Sequence, residues 1–302
     1  MAKSDEKTGL ETLYLIGNGF DMHHSISSSY YDFLDWITAQ SKKDIRFAFT
    51  IHQLERFFNA KKELWTQFEH SLGMYDINVV AEQRWGLYPE FLTIETMEMV
   101  KDIVVSSGFN CLGSLSETLT SVFRRWLPTI NTDKKPDNDL HLSNSALYLT
   151  FNYTDTLERL YNISPDNILH IHGSVLTPEK PFIVGHNNYV DPLSVVIEGN
   201  DFRDNNERID RICEMNGLIK PCNDIIERNS SFFDRLKQVN SVIVMGHSYS
   251  DIDLPYFKKV KSSILPEANW EMGWHTERDR ENITNYQRNL DLSSSRIIRF
   301  HF

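Results

Sequence analysis

The chain has 302 residues, 40% hydrophobic and 24% charged, which suits a globular α/β core built as one domain with insertions or as two domains. Its formal net charge of -11 weighs against a broad grip on nucleic acid, which depends on clustered Lys and Arg. The three cysteines, Cys111, Cys213 and Cys222, are too few and too scattered for a disulfide framework or a four-thiolate zinc site.

Among the histidines, His23-His24 and the pair His170 and His172 lack partners at helical ligand spacing, so no metal is expected. No apolar run approaches the roughly 20 residues of a membrane helix, and residues 1–7 lack the apolar segment of a secretory signal. The expectation is a cytoplasmic protein without a membrane partner.

Taken in chain order, Leu13 to Ile16 is the first candidate strand, ending in the glycine turn Gly17-Asn18-Gly19. A Ser-rich loop follows, then a long stretch to about Trp126 with helical apolar spacing. Within it, Leu64, Phe68 and Leu72 share one helical face, and Glu69 beside them either packs or faces a pocket. Residues 132–139 read as an exposed linker. Ala146 to Phe151, Ile168 to Ile171, Phe182 to Val184 and Ser241 to Met245 are apolar runs that end in small polar clusters. Thr154 or Asp155 is placed to cap the helix starting near Leu157. Residues 201–210 look charged and poorly periodic, and Ile212 to Lys237 looks helical. The strands Trp270 to Trp274 and Arg296 to Phe300 flank a polar helix.

Ligands of an open parallel sheet collect beyond the carboxyl ends of its strands, so these polar clusters are expected to line one cleft. Gly17-Asn18-Gly19 suits a turn whose backbone approaches a phosphate closely. Met22 stands where G-x-G-x-x-G needs its third glycine, and no Walker pattern occurs, so hydride and phosphoryl transfer are disfavoured. Ser250 replaces the second glycine of a G-x-S-x-G elbow, which leaves a serine hydrolase at Ser248 a remote reading. His172 is either a titrating site residue or a structural histidine. Asn152 either serves a site or closes a turn. Asp251 and Asp253 are read as helix caps.

Four segments together resemble the AbiH family of bacterial abortive-infection proteins, a distant branch of the sirtuin-like fold. They are Leu15-Ile16-Gly17-Asn18-Gly19-Phe20-Asp21, Thr150-Phe151-Asn152-Tyr153-Thr154, His170-Ile171-His172-Gly173-Ser174 and Met245-Gly246-His247-Ser248-Tyr249-Ser250-Asp251-Ile252-Asp253. Tyr30-Tyr31-Asp32-Phe33 and Leu64 to Leu72 extend the likeness over most of the chain. The fold implied is α/β: a Rossmann-like parallel sheet with a large helical insertion after the first strand and no zinc module. Residues 1–35 and 140–302 would form the core, 36–139 the insertion with its linker, and 191–238 a second, smaller insertion.

The resemblance implies NAD as substrate. Gly17, Asn18, Gly19, Phe20 and Asp21 would take the diphosphate turn, Asp32 and Phe33 the end of the nicotinamide-side loop, and Gly246, His247 and Ser248 the adenosine half. Asn152 matches the asparagine beside the nicotinamide ribose, and His172 the catalytic histidine. Asn18 and Asp21 replace the sirtuin alanine and serine, and no arginine follows Phe33. The implied activity is hydrolysis of the nicotinamide–ribose bond in an antiphage response, with Asp21 stabilising cationic charge. Control would come from homo-oligomer assembly or a partner defence protein. The alternative is a sensor that binds a nucleotide or ADP-ribose without turnover.

Overall fold

The computed structural model describes residues 11–58, 65, 68–73, 114–292 and 297–301. Cys111, within the span expected as the helical insertion, and Leu64 of the expected helical face lie outside them. The chain divides into two units, Met1–Ser28 with Ile130–Lys180 and Pro221–Phe302, and Ser29–Thr129 with Pro181–Lys220.

The first unit carries the sheet: β1 (Thr12–Ile16), β2 (Leu147–Thr150), β3 (Ile168–His170), β4 (Ser241–Met245), β5 (Asn269–Trp274) and β6 (Ile297–His301). The order is β3-β2-β1-β4-β5-β6, and every pairing is parallel. Parallel strands are covered on both faces, which is why β1 and β2 read as unbroken apolar runs. Tyr14 and Tyr148 are register partners, and their rings stack at 4.9 Å.

Helices Thr156–Tyr161, Leu254–Ser263 and Glu277–Asn289 connect or flank the strands. The last is polar by composition, yet Thr276 and Asp279 close a capping box at its start, and Ile283 and Tyr286 bury one stripe. Neither Thr154 nor Asp155 caps Thr156–Tyr161. Tertiary partners claim both side chains: Thr154 donates to Asp21, and Asp155 accepts from Thr132 and Arg159.

Two expectations fail. Phe182 to Val184 is no strand; only His186 makes an isolated parallel bridge, to Ile219. The run is short and follows Pro181, and Gly185 passes so close to Leu218 that a Cβ would sit 1.8 Å from its carbonyl oxygen. Residues 202–210, read as poorly periodic, lie in helix Phe202–Asn216. Asp201 caps it by accepting from the Arg203 N–H, and Ile212 and Met215 bury against Val195. The residues of this helix that join the apolar cluster fall in its later turns.

Helices Tyr30–Ser41 and Leu115–Trp126 in the second unit each begin with a capping box, from Ser29 and Ser114. Phe33, Trp65, Phe68, Phe123 and Trp126 form an aromatic core there. Glu69 pairs with Lys220, whose ammonium is fully buried and 2.9 Å from each carboxylate oxygen. Among the described residues, no helix is long and apolar enough to cross a membrane, and no group of three or more His, Cys, Asp or Glu is arranged to hold a metal.

Candidate functional site

β1, β2, β3 and β4 all point their carboxyl ends at one edge of the sheet. Gly17 follows β1 directly, and Asn152, His172 and His247 each stand two residues beyond β2, β3 and β4. The strand order reverses between β1 and β4, the position where open α/β sheets leave a crevice.

At that reversal two backbones touch. The Gly17 N–H donates to the Met245 carbonyl at 2.9 Å, and the Gly19 N–H to the Gly246 carbonyl at 2.8 Å. A Cβ on Gly17 would meet the Gly246 oxygen at 2.6 Å, and one on Gly246 would meet the Phe20 nitrogen at 2.2 Å. Gly246 also holds a left-handed φ of +64°. The glycines are therefore needed for backbone-to-backbone packing, and two turn amides are spent inside the protein.

Asp21 is fully buried and receives the Thr154 hydroxyl at 2.6 Å and the Thr156 hydroxyl at 2.7 Å. Burial pushes its carboxyl above the usual range, opposed by hydrogen bonds from Thr154, Thr156, Ser28 and Asn152. Asn18 accepts from Ser28 at 2.6 Å, and Phe20 lies in the core against His24 and Tyr161.

Asn152 is 6% exposed. Its Nδ2 donates to the Gly17 carbonyl at 3.1 Å and supports Asp21, while its Oδ1 is buried without a hydrogen-bond partner. The reverse amide orientation would set oxygen against oxygen at Gly17, so the orphan atom is the acceptor. A buried acceptor left unmade costs about 1–3 kcal/mol. A ligand hydroxyl or water donating to Oδ1 recovers it.

His172, 3% exposed, lies edge-on to Phe151 and Tyr256 at ring distances of 5.6 and 5.5 Å. Its Nε2 is 3.7 Å from Asp253 Oδ1, and His247 Nε2 is 3.3 Å from Asp253 Oδ2. Asp253 occupies the N-cap position of Leu254–Ser263 but makes no side-chain cap bond. The cap read from sequence is thus corrected: the carboxylate faces two imidazoles instead. His247 Nδ1 accepts the Tyr249 N–H at 2.8 Å, so both its nitrogens are committed away from Ser248, which is exposed.

His170 turns Nδ1 to the Asn152 carbonyl and Nε2 to Glu158, each at 2.9 Å, bracing the loop that carries Asn152. Asp32 and Phe33 belong to the second unit. Asp32 completes the capping box with Ser29, and Phe33 is buried in the aromatic core. The first unit thus brings together Gly17, Asn18, Gly19, Asp21, Asn152, His172, Gly246 and His247. The contacts of Asp253 with the two imidazoles, and of Thr154 and Thr156 with Asp21, are not legible in the sequence. The Asp253 signal was its place in the segment running on from Gly246-His247-Ser248.

A family model described as bacteriophage abortive infection AbiH matches residues 13–274. No curated protein and no solved structure matches the chain.

Proposed function

The chain belongs to the bacteriophage abortive infection AbiH family, and from that premise we propose that it is a defence effector that hydrolyses the nicotinamide–ribose bond of NAD. The observation carrying this reading is the Asn152 amide. Its Nδ2 is fixed on the glycine turn, and its buried Oδ1 awaits a donor two residues beyond a sheet strand. A ribose hydroxyl or an attacking water supplies that donor.

Breaking the bond builds oxocarbenium-like charge on the ribose. Nicotinamide departs with the electron pair of the C–N bond, the water oxygen bonds to the anomeric carbon, and ADP-ribose is released. His172 takes the proton from the water or from a ribose hydroxyl. His172 Nε2 is buried without a hydrogen-bond partner and lies 3.7 Å from Asp253 Oδ1. Asn152 orients the donor through Oδ1. Asp21, sealed by threonine hydroxyls, holds the Asn152 amide from behind the turn.

Incubation of the protein with NAD is expected to release nicotinamide, with His172→Ala and Asn152→Ala each slower by about 10²- to 10⁴-fold. Equal rates in all three proteins would overturn the assignment. The low exposure of His172 favours a second reading, a sensor that binds nucleotide without turnover, since binding needs only the outer rim of the site. A rise in melting temperature on adding NAD or ADP-ribose, with no nicotinamide formed, would select the sensor.

A further inference from the structure

We infer that Asp253 is a positioning residue for His172, and that His247 and the Tyr249 backbone hold it in place; this rests on the reading of His172 as the base. Direction in this chain of contacts is set at its far end. The Tyr249 N–H can only donate, so His247 Nδ1 must accept, at 2.8 Å. A neutral His247 therefore carries its proton on Nε2, which faces Asp253 Oδ2 at 3.3 Å. Asp253 is thereby held as an acceptor, and its other oxygen lies 3.7 Å from His172 Nε2. His172 Nε2 makes no hydrogen bond to it, and the carboxylate acts across that gap through its charge, favouring the tautomer with the proton on Nε2 and Nδ1 unprotonated. A carboxylate behind a histidine does the same in the serine-protease arrangement, where it fixes tautomer and orientation without taking the proton.

The local backbone is shaped for this contact. Tyr249 adopts φ +54°, a left-handed conformation costly for a bulky residue, and that turn aims its N–H back at the His247 ring. The Tyr249 hydroxyl donates to the Gly273 carbonyl at 2.7 Å, and its ring packs edge-on against His247 and Tyr286. Tyr286 in turn donates to the Ser250 carbonyl. Phe151 packs against both imidazoles, with ring distances of 5.6 Å to His172 and 4.5 Å to His247. Asp253 forgoes capping its own helix, although it occupies the cap position. These features hold two histidines and one carboxylate, from the ends of β3 and β4, in one fixed order.

The test uses the full chain labelled with ¹⁵N-histidine, with His172 assigned through His172→Gln. Long-range imidazole spectra at neutral pH are expected to show Nε2 protonated and Nδ1 unprotonated in the wild type. Asp253→Asn is expected to lose that pattern and to lower kcat for nicotinamide release by at least about tenfold, with KM within about twofold. His247→Phe keeps the aromatic volume but removes the Nε2 donor, and is expected to weaken the same signature; it remains informative if Asp253→Asn fails to fold. An unchanged His172 pattern in the folded variants would overturn the positioning role. The lost pattern in a protein whose wild type releases no nicotinamide would instead overturn the NAD reading and leave the positioning intact.

Discussion

A carboxylate without solvent contact must either lose its charge or be surrounded by donors, and Asp21 shows both pressures. Desolvation raises its pKa, and the hydroxyls of Thr154 and Thr156 and the Asn152 amide pull it back. The sign follows: with a folded pKa above its unfolded value, Asp21 contributes most below the unfolded pKa, and that contribution is lost as pH rises through the folded pKa. The stability advantage of wild type over Asp21→Asn is therefore expected to be larger near pH 4 than at pH 7, measured by urea unfolding of both proteins at each pH. A constant difference would argue against the shift. At this scale the sequence was only partly readable. Asp21 stands in a glycine turn legible in the sequence, but its hydroxyl partners lie 133 and 135 residues away. Asp253 looked like a cap because local spacing cannot tell a cap from a carboxylate turned toward two distant rings.

Elements were easier to read where burial imposes a continuous apolar run. Leu13, Leu15, Ile16, Leu147 and Leu149 are fully buried, each worth about 1.5–3 kcal/mol on transfer from water, so β1 and β2 announce themselves. Phe182 to Val184 has similar residues but no strand partner, and apolarity alone did not reveal that. Glycines divide in the same way. Gly246→Ala combines left-handed φ with a Cβ 2.2 Å from the Phe20 nitrogen, and is expected to cost about 3 kcal/mol or more. Gly199 also has positive φ, +86°, but nothing lies within 4 Å of an added Cβ, so Gly199→Ala is expected to cost only about 1 kcal/mol. Chemical denaturation of the two variants checks the ranking. Equal losses would mean that conformation, not the meeting of the two turns, is what the glycine at 246 supplies.

Across the whole chain, pairings between remote segments decide what composition cannot. Lys220 and Glu69, 151 residues apart, close the second unit through a buried ion pair. Lys220→Met leaves Glu69 facing a methyl and is expected to destabilise by about 3 kcal/mol. Adding Glu69→Gln should cost less than the sum of the single changes, as read from a double-mutant cycle in urea; strict additivity would show the groups uncoupled. Sequence spacing put Glu69 on a helix and left open whether it packed or faced a pocket. Its lysine lies in a segment whose composition looks helical, and the non-helical stretch Gly217 to Pro221 carries Lys220 out of that helix.

The central strand also bears on how the molecule is made. β1 emerges first from the ribosome, yet its neighbours are residues 147–150 and 241–245. At about 5–20 residues per second, an interval on the order of ten seconds or more separates synthesis of β1 from that of its second partner. Closure over such separations is slow, so the apolar strand at the middle of the sheet is also the one longest exposed to chaperones and to other nascent chains.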